Sequence, residues 1–271
     1  MSLFRRYDSE GKVIEESDIS SEEESFSDIP SNLPIIPIKD TVVYPFTVVP
    51  VYVDDQIGAK AAKKALETDR YVAVFSVQAD SDQSLVPNNM YSIGTVCLVH
   101  KVVPVARQGT MVILQGISKA ELLDVNAEDT PWYGSVKEVV DKEESGQKVR
   151  ALAKTALTTA QNIISQTPYL PHQELQFALE SLDDPLKLVY LIATVIGMKL
   201  EERQKLLQLA HVKSKLEFLV KILTREDELL QLGGKIQDDI RKDFSKSQRE
   251  YFLRQKLKAI QKELGEESEA A

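Results

Sequence analysis

A single cysteine, Cys97, is all the thiol chemistry this chain has, which excludes an internal disulfide framework and suits a reducing compartment. Histidine is almost as scarce: His100, His172 and His211 are the only three. Cys97 and His100 resemble a metal pair, but an odd separation on a strand sends side chains to opposite faces. The expectation is a buried thiol and a hydrogen-bonded sheet histidine, with no metal site. The eleven glycines form neither GxxxxGK[ST] nor GxGxxG, the arrangements in which backbone amides surround phosphates. Gly233-Gly234-Lys235 lacks the earlier glycine and the hydroxyl residue, so nucleotide binding by this chain is not expected. No apolar run approaches the roughly 20 residues that cross a bilayer. The most apolar, Leu186 to Met198, contains Lys187 and reads as a buried helix. The opening MSLFRRYDSEGK has two arginines with no apolar core behind them, so a secretory signal is not expected. An excess of positive charge is missing too. Lys and Arg number 33 against 42 Asp and Glu, and a net charge of -9 argues against a general nucleic-acid binder. The expected location is cytoplasmic.

What is present divides into four stretches. Residues 1–31 carry nine acidic side chains against three basic ones, leaving -6, with repeated Ser and Glu and few large apolar residues. Such a segment cannot bury enough surface to offset its ordering entropy, so a flexible acidic tail is expected. Residues 32–142 read as strands. Pro34, Pro37, Pro45 and Pro50 punctuate LPIIPIKDTVVYPFTVVPVYV and exclude a continuous helix. Tyr71 to Val77 is nearly unbroken in its apolarity, as in a strand covered on both faces. Gly94 to Val103 and Thr110 to Gly116 flank a turn at Arg107, Gln108 and Gly109 and predict a hairpin. Separate strands are expected at Ala120 to Val125 and Trp132 to Val140, with one helix, Ile57 to Glu67, capped by Asp54 or Asp55. The fold class is α+β: a bent antiparallel β lobe with one helix, followed by a helical bundle and a long C-terminal helix.

Over residues 143–232 the period is helical. Val149, Leu152, Ala153, Ala156, Ala160, Ile163 and Ile164 recur at spacings of three and four. Thr167 and Pro168 end that helix, Pro171 opens the next, and Asp184-Pro185 starts a central helix that Gly197 stops. Glu201 to about Leu232 supplies one or two more. Gly233 and Gly234 are expected to break the pattern, because adjacent glycines are costly inside a helix. Residues 233–271 then form a separate long helix with apolar rows at Ile236, Ile240, Phe244 and at Leu253, Leu257, Ile260, Leu264.

Catalytic constellations are absent from this reading. Ser145 and Lys148 have the S-x-x-K spacing of some serine acyltransferases, but they sit in a polar linker without companion motifs, and a linker or capping role is expected for Ser145.

Two segments carry a resemblance. Leu33 to Val53 is similar to the opening of the Lon protease N-terminal domain: Pro37, Ile38, Asp40, Val42, Pro45 and Pro50 match its P-I-x-D and V-x-x-P-x-x-x-x-P elements. Ser247 to Glu266, SQREYFLRQKLKAIQKELGE, resembles the helix that precedes the ATPase module of that family, and Tyr91 to Val103 resembles its middle strand. The resemblance implies a PUA-like β lobe in a non-catalytic substrate-recognition and assembly region. The longer family proteins are ATP-dependent serine endopeptidases, assembled as homohexamers, with a Ser-Lys dyad. ATP and Mg are expected only for such a full-length protein and no cofactor for this chain, which would stop before the phosphate-binding loop. Implied partners are unfolded or tagged protein substrates and further copies of the chain, with no membrane and no nucleic acid.

Physical routes to both roles exist. Val43, Tyr44, Phe46 and Tyr52 are candidate substrate contacts in a loop-prone segment; the alternative is that they fill the β core. Tyr251, Phe252, Leu253, Leu257 and Ile260 are the candidate assembly surface; packing within the same chain is the alternative. A free-standing adaptor that binds proteins without a motor is the second functional reading.

Overall fold

The computed structural model describes residues 30–78, 86–105, 109–167 and 170–263. Residues 1–29 of the acidic tail, residues 106–108 of the expected turn, Pro168 and Leu264 lie outside the described residues, as do the side chains of Ile240 and Phe244. Apolar-rich runs lay down six strands: β1 (Asn32–Ile38), β2 (Val48–Val53), β3 (Tyr71–Ser76), β4 (Ile93–Val105), β5 (Gly109–Asn126) and β6 (Tyr133–Glu138). Their order is β2-β5-β4-β3-β1-β6, and β6 also pairs with the second half of β5. The sheet therefore closes on itself through β5, β4, β3, β1 and β6, with β2 attached outside the ring along the first half of β5. Closure removes edges. Among the described residues β2 pairs with β5 alone, and an edge is where a sheet tolerates Pro50.

Two expectations about this lobe need correction. The pairing of β1 with β3 is parallel rather than antiparallel. The reason is the connection: the chain passes through β2 and α1 (Gln56–Leu66) before β3, a crossover long enough to return in the same direction. Ala120 to Val125 is also not a separate strand but the far half of the 18-residue β5. The register slips between Val96 and Cys97, between Val99 and Lys101, and between Leu122 and Asp124. These bulges bend β5 so that one strand pairs with β4 on one side and with β2 and then β6 on the other, and no turn is needed. The β4–β5 hairpin itself is formed, with Val105 opposite Gly109.

Helix α1 is capped by Asp55, whose carboxylate accepts the Gly58 amide at 2.7 Å. It buries Gly58, Ala61, Ala62 and Ala65, all small, so it lies close on the sheet. Every residue of β3 is buried: Val72 and Val74 join the core under α1, while Tyr71, Ala73 and Phe75 join the core with Leu33, Trp132 and Val136. Cys97 is fully buried in the first of these, and burial raises its thiol pKa. His100 is exposed at a bulge and bonds Gln115 at 2.7 Å.

The second lobe contains α2 (Gln147–Gln166), α3 (His172–Glu180), α4 (Pro185–Val195), α5 (Leu200–Gln208) and α6 (Val212–Glu263). Asp184 caps α4 through the amides of Leu186 and Lys187, and Pro185 opens it. The core gathers Ala156, Ala160, Ile163 and Ile164 of α2, Leu188, Val189 and Ile192 of α4, and Leu216, Leu219 and Leu223 of α6. Val42 and Tyr44 of the β lobe belong to the same core. Tyr44 stacks on Tyr190 with ring centroids 5.2 Å apart and donates its hydroxyl to the Arg203 carbonyl at 3.0 Å.

The expected break at Gly233-Gly234 does not occur. Helix α6 runs through both glycines for 52 residues, about 80 Å at ~1.5 Å per residue. Each glycine costs about 1 kcal/mol in a helix interior, which strong helix formers on both sides offset. The last helix therefore starts inside the bundle, at Val212, rather than at residue 233.

Candidate functional site

In the segment between β1 and β2, Val42 to Pro45 are buried in succession and Phe46 alone then turns out to solvent. Val43 and Tyr44 are buried, at 2% and 0% exposure, and cannot meet an outside ligand; they are withdrawn from the candidate contacts. Phe46 and Tyr52 are exposed at 52% and 59%, as is Val48, which was not singled out from sequence, but Tyr52 borders a different groove, with Lys39, Asp40 and Pro50. Phe46 faces solvent because its backbone is left-handed, with φ at 63°. For a residue with a Cβ that conformation costs on the order of 1–3 kcal/mol. Three hydrogen bonds hold it: Phe46 donates its amide to Gly116 O at 2.8 Å, Gly116 returns one to Thr47 O at 2.9 Å, and Thr47 Oγ1 donates to Tyr44 O at 2.7 Å. The loop lies so close to β5 that a Cβ on Gly116 would stand 2.1 Å from Tyr44 O.

Phe46 overhangs a groove of about 240 Å³ where the two lobes meet, lined by Pro45, Ile117, Val140 and Leu186 among others. Val140 is 73% exposed on its rim. Lys187 of α4 places its ammonium 5.3 Å from the Phe46 ring centroid, so a cation–π contact spans the lobes. Ser118 Oγ is buried beside the groove with no hydrogen-bond partner among the described residues. None of Val140, Leu186 or Lys187 carries a signal in sequence, because only the meeting of the two lobes brings them to Phe46.

Lys119 and Asp141, which also line the groove, belong to a buried charged cluster that sequence reading missed. Asp141, read as the start of a polar linker, pairs with Lys119 of β5 and lies 3.4 Å from Lys215 Nζ of α6. Its second carboxylate oxygen accepts the Tyr190 hydroxyl at 2.5 Å. Lys119 also donates to Leu209 O at 3.3 Å, and Lys215 to Leu206 O and Leu207 O at 2.8 and 3.0 Å. Burial and then the neighbouring carboxylate raise the Tyr190 pKa. Burial, opposed by Asp141 and reinforced by Lys119, lowers Lys215 to about 7.

The remaining sequence candidates are placed as follows. Ser145 is exposed, Gly146 rather than Ser145 is the N-cap of α2, and Lys148 is ion-paired to Glu217 at 2.8 Å. Among the described residues no group of three His, Cys, Asp or Glu side chains could hold a metal ion. Among them, too, no helix is long and apolar enough to cross a membrane. Tyr251, Phe252, Leu253, Leu257 and Ile260 are all more than half exposed on the distal part of α6, joined by Leu229, Leu232 and Ile236 nearer the bundle.

The closed β ring that shares a core with a helical bundle has the fold of a solved Lon N-terminal domain. The N-terminal domain of a Mycobacterium avium complex Lon protease superposes with a TM-score of 0.56 at 19% identity, covering 71% of this chain and 98% of that one. Residues 32–225 match the ATP-dependent protease La (LON) substrate-binding domain, and the chain belongs to that family. It is 32% identical over 256 residues to the Lon protease of Geobacter metallireducens and 30% identical over 240 residues to that of Escherichia coli K12. These alignments cover 93% and 88% of this chain but only 31% and 30% of the relatives' lengths.

Proposed function

We propose that this chain captures unfolded or tagged protein substrates on the apolar surface around Phe46 and Tyr52, as the non-catalytic receptor of a Lon-type ATP-dependent protease. The supporting observation is that Phe46 is held outward in a strained conformation over a groove that sets Pro45, Ile117, Val140 and Leu186 beside Glu138 and Glu143, where collapse into the core would be the default. An unfolded chain differs from a folded one chiefly in its exposed apolar side chains, and an exposed aromatic beside a groove selects for that difference. The distal part of α6 supplies self-association, up to a homohexamer in a longer protein. In this reading the substrate is handed to cytoplasmic motor and protease modules that bring ATP, Mg and a Ser-Lys dyad, and this chain uses no cofactor of its own. Membrane and nucleic acid are not partners.

Phe46→Ser tests the reading. Binding of a fluorescently labelled, permanently unfolded protein, measured by anisotropy, should weaken about tenfold, the loss expected for a central aromatic contact worth ~1.4 kcal/mol or more. Unchanged affinity, with circular dichroism equal to that of the parent, would remove Phe46 from the binding surface.

A further inference from the structure

The two lobes meet through charge as well as through apolar packing. Lys119 comes from β5, Asp141 from the segment after β6, Tyr190 from α4 and Lys215 from α6, and the side chains of both lysines and of Asp141 are at most 4% exposed. Two ammonium groups face one carboxylate. If both are charged, one positive charge is left without a counterion in a site closed to water, an arrangement that costs several kcal/mol.

We propose that this cluster is a proton-controlled latch: the lobes dock tightly when the cluster gives up one proton and loosen when it regains it, with each lobe staying folded. Lys215 is the group that titrates. Around it stand Lys119 from β5, Asp141 from the linker, the Tyr190 ring of α4 at 5.0 Å, and the Leu206 and Leu207 carbonyls of α5. Behind Tyr190 lie Tyr44 of the β lobe and Arg203 of α5. A neutral amine keeps two donors, enough for the two carbonyls, and leaves Lys119 and Asp141 as a neutral pair. Protonation adds a third donor towards Asp141 together with an unbalanced charge.

The docked state holds Lys215 near 7, while an amine freed to solvent returns towards 10.5. Docking therefore releases a proton between those values, and rising pH favours it. The ratio of loosened to docked molecules should fall by up to about tenfold per pH unit above 7, and level off below it. This dependence follows from the lobe interface alone and holds whether or not Phe46 binds substrate.

Spin labels at Lys101→Cys on β4 and Glu174→Cys on α3, both exposed positions, report the separation of the lobes in the full chain. Pulsed-EPR distance distributions should be broad below pH 7 and narrow above it, with circular dichroism constant throughout. A distribution independent of pH, or a pH-dependent loss of helix, overturns the proposal. Lys215→Met should give the narrow distribution at every pH; a retained pH response overturns the assignment to Lys215. Should that variant fail to fold, Lys119→Met serves instead: removing the competing ammonium leaves Lys215 paired with Asp141, and the midpoint should move upward. An unmoved midpoint contradicts the latch.

Discussion

Gly116 shows how a single hydrogen atom in place of a side chain determines where an aromatic ring points. Its missing Cβ lets the Tyr44 carbonyl and Pro45 Cα approach β5, and that approach allows the two hydrogen bonds to Gly116 among the three that hold Phe46 in its left-handed turn. Because the obstructing atoms are backbone, they cannot rotate away. Gly116→Ala should destabilise the protein by about 2–3 kcal/mol in urea denaturation. Gly197→Ala, whose added Cβ would meet nothing within 4 Å, is the control and should change stability little. Equal effects of the two would show that the loop accommodates a methyl group and that Gly116 does not position Phe46. At this scale the sequence was only half legible. VVYPF marks a run of large apolar residues but not which of them turn inward. Val43 and Tyr44 are core, Phe46 is not, and the difference lies in one φ angle and in a contact with β5 some 70 residues away.

Elements were legible where periodicity ran unbroken and misread where one residue type stood in for a boundary. Asp55 and Asp184 cap the helices their side chains announce, and the apolar rows of α2 and α4 face the core. The far half of β5 looked like a separate strand because bulges break the alternation that marks a strand. Gly233-Gly234 looked like a boundary because propensity is a weak prior that neighbouring turns override. The continuity of α6 makes it a rigid arm, and its exposed apolar residues from Leu229 to Ile260 define what that arm carries. Burying such a side chain contributes roughly 1.5–3 kcal/mol, so a handful of them supports a stable association. Deleting residues 236–271 should lower the mass seen by analytical ultracentrifugation at concentrations where the full chain self-associates. An unchanged mass would place the association elsewhere.

For the whole molecule, the decisive feature is that the lobes share a core. Tyr44 reaches from the β lobe into the bundle and Lys119 into the charged cluster, so the groove under Phe46 has a fixed shape only while the lobes stay docked. None of this could be read from sequence. Lys119 and Lys215 look like any solvated lysine in an alternating or helical pattern, and Asp141 sits in a polar run, so their burial follows only from tertiary packing. The family and the order of the two lobes were legible, because Asp40 and Pro45 fall at the bends between β1 and β2 while Pro37 and Pro50 sit within those strands, a spacing that belongs to this fold. The contact surface was not, because exposure is decided by which neighbour covers which face. The most direct test of the central claim is photo-cross-linking of the full chain to a permanently unfolded protein, mapped residue by residue and repeated with the same protein in its native state. Cross-links concentrated at residues 45–52 and at Val140 and Leu186, with the unfolded form only, are the predicted result. Equal labelling by the native form, or labelling that spares this groove, would contradict it.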